Sequence, residues 1–259
     1  MKKIITLFVT SLLAFTSCNS DDNDGQSSDS SILPKTSTYI DPEDASKNET
    51  TTISYNGNKV TKMESSYYRN VYTYTGDLIT QTVQTEDYDD NVYTIVTEYT
   101  YTNDNKLATE THTTYSSQNT ERHKSKYTYT YNSNGTIFKN YYYFDEDNKE
   151  VLSKQTATLT VANGNLVKIE TYYDFDESTH TETYEYDNKN SFYKNILGMN
   201  KLYISTDGES GVNNLTKYTS SKYPSDNYTV QYTYNEQGFP TERKDYYGSE
   251  LDGTYKVTY

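Results

Sequence analysis

The segment Tyr228-Thr229-Val230-Gln231-Tyr232-Thr233-Tyr234-Asn235-Glu236-Gln237-Gly238-Phe239 contains the pattern that decides the fold. Tyrosine or valine occupies every second position from Tyr228 to Tyr234, and threonine or glutamine lies between them. This period of two places the apolar side chains on one face of a β-strand and the polar ones on the other. The residues from Asn235 to Gly238 are typical of a tight turn, after which Phe239 begins a second strand. The segment therefore predicts a β-hairpin with a tyrosine face.

The same unit recurs along the chain as an aromatic-x-aromatic strand end, a turn rich in Asn, Asp or Gly, and then Leu, Ile or Val. Copies start at Ile53, Tyr72, Tyr99, Tyr129, Leu159, Tyr184 and Tyr232. Most starts lie about 19 to 30 residues apart, a spacing typical of repeat arrays. Successive hairpins of this kind predict an all-β fold, a single antiparallel meander of about 14 strands. Because strand twist accumulates across so wide a sheet, we expect it to be strongly curved or closed into a soluble barrel, with tyrosines on the concave face.

The repeat is interrupted once, near residues 187–202. This segment does not alternate, and it holds a cluster of apolar residues that includes Ile196, Leu197, Met199 and Leu202. One interpretation is a plug or cap that packs on the sheet. The other is a binding loop.

Composition limits the class of partner. The chain has 32 tyrosines among 259 residues, no tryptophan and a net charge of −14. Nucleic acids and anionic lipid surfaces require basic patches, so the charge argues against both as partners. A membrane-spanning barrel needs an outer band of apolar residues, whereas here the face opposite the tyrosines carries Thr, Glu, Asn and Lys.

The N-terminus has the features of an export signal. Lys2 and Lys3 precede an apolar run from Ile4 to Phe15, which is too short to span a bilayer, and Cys18 follows as the single cysteine of the chain. Residues 1–17 resemble a bacterial lipoprotein signal peptide. This resemblance implies cleavage before Cys18 and attachment of lipid to its sulfur. Residues 18–48, mostly Ser, Asp, Thr and Asn, predict a disordered tether, and residues 49–259 predict the β-repeat domain.

An acidic cluster follows the cysteine directly. Ser20, Asp21, Asp22 and Asp24 resemble the surface-export signal of Bacteroidetes lipoproteins. The resemblance implies an address on the outer face of the outer membrane, where the lipid anchor makes the membrane itself a partner.

The repeat domain resembles a family of uncharacterised Bacteroidetes surface lipoproteins with a porin-like β-fold. The resemblance rests on the YTYN-type hairpins, the interruption YDNKNSFYKNILG and the closing YTYNEQGFPTE. The single units are also similar to tyrosine-aspartate (YD/Rhs-type) repeats. The family implies a fold and a surface location, and it brings no catalytic residues to transfer.

The sequence offers no candidate catalytic residues and no candidate metal-ligating residues. His112, His123 and His180 do not have metal-ligand spacing, and no phosphate loop or nucleophile elbow is present. Acidic turns at residues 87–90, 145–148 and 174–177 should lie at one end of the sheet, where their oxygen atoms suit a weak Ca²⁺ site or are simply solvated. We therefore expect no other cofactor.

The leading functional hypothesis is a monomeric, non-enzymatic surface lipoprotein that binds an extracellular ligand, either a glycan or a protein. Tyrosine suits sugars because apolar sugar faces stack on the ring while sugar hydroxyls bond to its OH. The alternatives are a structural coat component without a small ligand, in which the tyrosines form cross-strand ladders, and a glycan-active hydrolase.

Overall fold

The computed structural model of the protein describes residues 32–88, 91–119 and 121–259. Sixteen strands form one closed antiparallel barrel in which each strand pairs with its neighbours in sequence, and β1 pairs with β16 to close the ring. The strands are β1 (Thr36–Ile40), β2 (Glu49–Asn56), β3 (Lys59–Glu64), β4 (Tyr68–Thr75), β5 (Leu78–Tyr88), β6 (Asn91–Tyr101), β7 (Leu107–Ser116), β8 (His123–Tyr131), β9 (Thr136–Phe144), β10 (Glu150–Ala162), β11 (Asn165–Tyr173), β12 (Ser178–Tyr186), β13 (Leu215–Ser220), β14 (Tyr228–Tyr234), β15 (Pro240–Tyr247) and β16 (Glu250–Thr258).

Short 3-10 helices span Ala45–Lys47, Met199–Lys201 and Pro224–Asp226. No helix in the described ranges is long and apolar enough to cross a membrane. The predicted all-β meander is therefore confirmed, and it closes rather than remaining an open curved sheet.

Two strands exceed the predicted number, and both lie outside the repeats. The seven predicted hairpins correspond to β2 through β15, while β1 and β16 pair with each other. The predicted tether boundary at residue 48 is wrong, because Thr36–Ile40 forms β1 inside that segment. The reason is local: Ser37 and Tyr39 alternate with Thr36 and Thr38, a pattern that pairs well on both sides and removes the free edges of the sheet.

A register irregularity marks the end of most repeats. The ladder shifts directly before the last aromatic residue of the unit, for example between Thr73 and Tyr74 and between Thr100 and Tyr101. Such a bulge inserts one extra residue and bends the strand. As a result, Tyr101 lies opposite Leu107 and both belong to the interior cluster.

Tyrosine hydroxyls connect successive hairpins. Tyr101 Oη donates to the carbonyl oxygen of Ile79 at 2.6 Å, and Tyr131 Oη donates to that of Leu107 at 3.0 Å. The same type of bond joins Tyr55 to Pro34, Tyr186 to Leu166, Tyr232 to Leu215 and Tyr259 to Pro240. The repeating tyrosines are thus structural members of the barrel wall.

The non-repeating segment occupies the barrel interior at one end. It extends from Asp187 to Asn214, between β12 and β13, and we call it the plug. Its apolar side chains share a buried cluster with wall residues, most of which follow a turn at this end of the barrel. The plug contributes Ile196, Met199, Leu202 and Ile204, and the wall contributes Val60, Ile79, Leu107, Ile137, Leu159, Leu166 and Leu215.

Because the meander alternates direction, its loops divide between two ends. The plug end carries the tight turns at Gly57, Gly76, Gly135 and Gly164, the plug itself and both chain ends of the barrel. The opposite end, which we call the mouth, carries the loop residues 41–48, 65–67, 117–119, 121–122, 145–149, 174–177 and 221–227. The predicted acidic turns at residues 145–148 and 174–177 lie at the mouth, as expected, and Asp87 lies at the same end of β5. Asp89 and Asp90 of the third turn fall outside the described residues.

Candidate functional site

A cleft descends from the mouth to the plug along the wall, where β1, β2, β4 and β16 line both of its levels. It has an outer cavity of about 540 Å³ near the mouth and an inner cavity of about 350 Å³ above the plug. Both cavities are lined by Ser37, Thr51, Tyr68 and Tyr255, so they are two levels of one cleft. Volumes of this size accommodate small ligands.

The outer level is aromatic and acidic. Its ten lining residues comprise Tyr39, Tyr67, Tyr68, Tyr255, Glu49, Glu86, Asp252, Ser37, Thr51 and Ser65. The ring centroids of Tyr39 and Tyr255 lie 5.2 Å apart with the planes tilted by 50°. Tyr39 is cross-strand partner to Tyr255, so the register of β1 on β16 creates this pair.

One glycine allows the aromatic pair to sit where it does. A Cβ atom on Gly253 would lie 2.4 Å from Cε2 of Tyr39, which is far inside van der Waals contact. The missing side chain therefore lets the Tyr39 ring lie against the backbone of β16.

The inner level is organised around Arg243 on β15. Its guanidinium donates from Nη1 and Nη2 to the two carboxylate oxygens of Glu209, at 2.9 and 3.2 Å, and from Nε to Asp245 at 2.7 Å. Glu209 belongs to the plug, so this bidentate pair fixes the plug to the wall. Burial alone would lower the pKa of Arg243, but Glu209 outweighs this effect and raises it. Arg243 therefore stays charged.

Aromatic rings flank the arginine. The Arg243 guanidinium carbon lies 5.7 Å from the ring centroid of Tyr255, and Tyr232 is the cross-strand partner of Arg243 on β14. Phe192 and Tyr193 of the plug form the floor, with their centroids 4.8 Å apart. Burial, followed by Asp245, raises the pKa of Tyr255 to about 12, so its hydroxyl remains a neutral donor and acceptor at physiological pH.

A second polar cluster lies on the other side of the interior, around Glu110 on β7. Its carboxylate is buried and accepts hydrogen bonds from Tyr129 of the wall and Ser205 of the plug. The Lys139 ammonium lies 3.9 Å from Glu110 and 4.2 Å from the Tyr127 ring centroid. Burial lowers the pKa of Lys139, while Glu110 opposes this change. Through these contacts Glu110 joins the plug to the wall.

Asp207 of the plug differs from the buried Glu110, because its side chain is exposed. It has a φ of 47°, in the left-handed region, and its side chain contacts solvent. The barrel nevertheless surrounds it, and this enclosure raises the pKa of its carboxyl, while Lys139 opposes the shift. A solvent-accessible carboxylate inside the ring shows that the plug leaves part of the interior open.

The predicted lipidation residue Cys18 and the predicted export residues Ser20, Asp21, Asp22 and Asp24 lie outside the described residues. The acidic turns at the mouth use their carboxylates locally: Asp145 accepts from the backbone of Asp147 and Lys149, and Asp176 accepts from Ser178. Within the described ranges, no group of three or more His, Cys, Asp and Glu is placed to hold a metal ion.

Sequence reasoning identified the tyrosine face but missed the charged residues of the cleft. Arg243 and Asp245 alternate on β15 and pair with Tyr232 and Val230 of the predicted tyrosine face, which was the available signal. Glu209 gave no signal, because the plug lacks the alternation that assigns a direction to each side chain.

No protein-family model matches the chain, and no curated protein does. Among solved structures, the chain is similar to a porin-like protein from Bacteroides uniformis, determined at 2.32 Å resolution. The two share 16% sequence identity with a TM-score of 0.44, over 86% of this chain and 95% of that chain.

Proposed function

We propose that the protein is a non-enzymatic surface lipoprotein whose barrel binds an extracellular ligand in the cleft. The observation that carries the proposal is the tyrosine-lined cleft itself, with a fixed arginine at its base. Apolar ring faces combined with a few convergent polar groups are the usual composition of a ligand site. Such a surface suits a sugar, which offers both a flat apolar face and hydroxyl groups.

The position of the chain ends supports an outward-facing cleft. Lys35 donates from its backbone nitrogen to Thr258 and from Nζ to the backbone oxygen of Tyr259, so the chain enters the barrel at the plug end. With lipid on Cys18, the plug end would lie nearest the membrane. The mouth would then face the exterior, where a glycan or a protein ligand is available.

The outer wall supports a barrel that stands clear of the bilayer. Outward-facing positions carry threonine pairs such as Thr36–Thr258 and ion pairs such as Lys217–Glu185. A lipid-facing surface would need apolar side chains at these positions. We therefore place a soluble barrel, acting as a monomer, on the outer face of the outer membrane.

A glycan array tests the binding proposal. The full chain, purified in mild detergent, should bind a defined set of glycans, and Tyr68→Ala and Tyr255→Ala should remove this binding. Tyr172→Ala is the matched control, because Tyr172 is 40% exposed and lies outside the cleft. Absence of glycan binding, with a protein ligand also absent from surface-crosslinking experiments, would support the structural coat component instead. Turnover of any bound polysaccharide would support the hydrolase.

Metabolic labelling tests the anchor. Cys18→Ser should abolish incorporation of labelled fatty acid and release the protein from the outer-membrane fraction. Unchanged labelling and fractionation would contradict the proposal.

Antibody labelling of intact cells tests the export signal. Replacing Ser20, Asp21, Asp22 and Asp24 with Ala should leave the protein lipidated but hidden from antibody, whereas Asp29→Ala should leave it accessible. Equal labelling of both variants would contradict a surface-export role.

A further inference from the structure

We propose that the outer level of the cleft binds an organic ammonium group, presented by an oligosaccharide that carries free amino groups. This inference rests on the proposed function and names the class of its ligand. It follows from three features of the mouth: the rings, the carboxylates and the charge of the surrounding loops.

The rings provide the first feature. Four tyrosines line the outer cavity. Two of them, Tyr39 and Tyr255, form a tilted pair whose ring centroids lie 5.2 Å apart. Clusters of aromatic faces bind ammonium ions through the electrostatic attraction between the cation and the ring. The same faces stack against the apolar side of a sugar ring. A sugar with an amino group uses both properties at once.

The carboxylates provide the second feature. Glu49, Glu86 and Asp252 line the same cavity, and no Lys, Arg or His does so within the described part of the chain. Hydrogen bonds from Tyr67 and Ser66 outweigh the effect of burial and lower the pKa of Glu49, so it is ionised at neutral pH.

None of these three carboxylates has a cationic partner among the described residues, which leaves their charge for a ligand. Arg243 does not supply the missing charge. It lies at the inner level, where Glu209 and Asp245 already neutralise it. A neutral sugar would leave the three carboxylates unmatched, and an acidic sugar would be repelled by them.

The loops provide the third feature. Acidic residues outnumber basic ones around the mouth, and a cleft lined by one sign of charge concentrates ions of the opposite sign. The acidic residues are Asp41, Glu43, Asp44, Glu121, Asp145, Glu146, Asp147, Asp174, Asp176, Glu177 and Asp226; the basic ones are Lys47, Arg122, Lys149 and Lys222. The field around the mouth thus favours the same class of ligand as the cavity.

Calorimetric titration of the full chain in mild detergent tests the inference with defined probes. A β-1,4-linked glucosamine tetramer should bind at least about tenfold more tightly than the N-acetylated tetramer, which has the same backbone without the charge, and its affinity should fall as salt is raised. Glu86→Gln and Asp252→Asn should each weaken the glucosamine tetramer by roughly tenfold, the loss expected for one charge-assisted hydrogen bond. Glu185→Gln, on the outer wall, is the matched control.

The outcomes separate this inference from the proposed function. Equal binding of the two tetramers, or array binding confined to neutral glycans, would overturn the ammonium site and leave a glycan-binding cleft in place. Spermidine binding as tightly as the glucosamine tetramer would overturn the sugar part of the inference. Absence of binding to every glycan would overturn this inference, and absence of a protein ligand in surface crosslinking as well would remove the proposed function itself.

Discussion

The tyrosine hydroxyl bonds between hairpins make a quantitative prediction about stability. Tyr101 Oη lies 2.6 Å from the Ile79 carbonyl oxygen, and Tyr131 Oη lies 3.0 Å from that of Leu107, a residue that is 1% exposed. Changing either tyrosine to phenylalanine keeps the ring and removes the donor. A buried acceptor that loses its partner costs about 1–3 kcal/mol. We expect each single variant to lose about 1–2 kcal/mol of unfolding free energy, and the double variant about 2–4 kcal/mol.

Truncation to alanine adds the loss of ring packing. Tyr101 and Tyr131 both pack on the buried interior cluster, so each alanine variant should lose about 3–5 kcal/mol. The two sites share Leu107, which is the cross-strand partner of Tyr101 and the acceptor for Tyr131. Effects at sites with a shared partner are not additive, so the double alanine variant should depart from the sum of the singles by at least about 0.5 kcal/mol.

Equilibrium urea unfolding, followed by far-ultraviolet circular dichroism, measures these losses. Tyr172→Phe is the control, because Tyr172 is 40% exposed, and its unfolding free energy should stay within about 0.5 kcal/mol of the parent value. In thermal melts, the double phenylalanine variant should unfold roughly 5–15 °C lower. If the Tyr101→Phe/Tyr131→Phe variant unfolds with the same urea midpoint and the same slope as the parent, the hydroxyls have no structural role.

Three further predictions follow from the interior. Because the pKa of the Asp207 carboxyl is raised in the folded barrel, its ionisation destabilises the fold above that pKa. Asp207→Asn should therefore raise the free energy of unfolding at pH 7, and this gain should vanish near pH 3. A gain that persists at pH 3 would contradict this reasoning. Gly208→Ala should destabilise the barrel by several times as much as Gly57→Ala. Both glycines have positive φ, but a Cβ at Gly208 would lie 2.0 Å from the Tyr186 hydroxyl oxygen, whereas a Cβ at Gly57 would meet open space. Equal midpoints of urea unfolding for the two variants would contradict the steric argument. Gly253→Ala should displace the Tyr39 ring and weaken glycan binding by at least about fivefold. The circular dichroism spectrum of this variant should match that of the parent. Unchanged affinity would show that Tyr39 does not contact the ligand.

The sequence predicts the wall of the barrel well because the wall is made by a period-two pattern. Alternation assigns each strand residue to one face, and turn chemistry fixes the hairpins, so the seven hairpins predicted at Ile53 through Tyr232 all form. Closure was harder to predict. It depends on Thr36–Ile40, five residues inside a polar segment whose composition resembles a tether, and pairing with β16 is a contact across the whole length of the chain.

The cleft was less predictable than the wall for the same physical reason. The residues that line the cleft depend on which wall residues contact the plug. The plug has no sequence periodicity that would predict the direction of its side chains. The pairing of Glu209 with Arg243 joins residues 34 positions apart across the interior. No local pattern carries that information, whereas Tyr232 of the cleft lies on β14, where the alternation predicted a tyrosine face.

The location of a bound ligand tests the account most directly. A crystal structure of the protein with the tightest glycan from the array should show that glycan in the cleft, against Tyr68 and Tyr255 and within hydrogen-bond distance of Glu86 or Asp252. A glycan bound on the outer wall, with only solvent in the cleft at a saturating glycan concentration, would contradict the proposal that the cleft is the ligand-binding site.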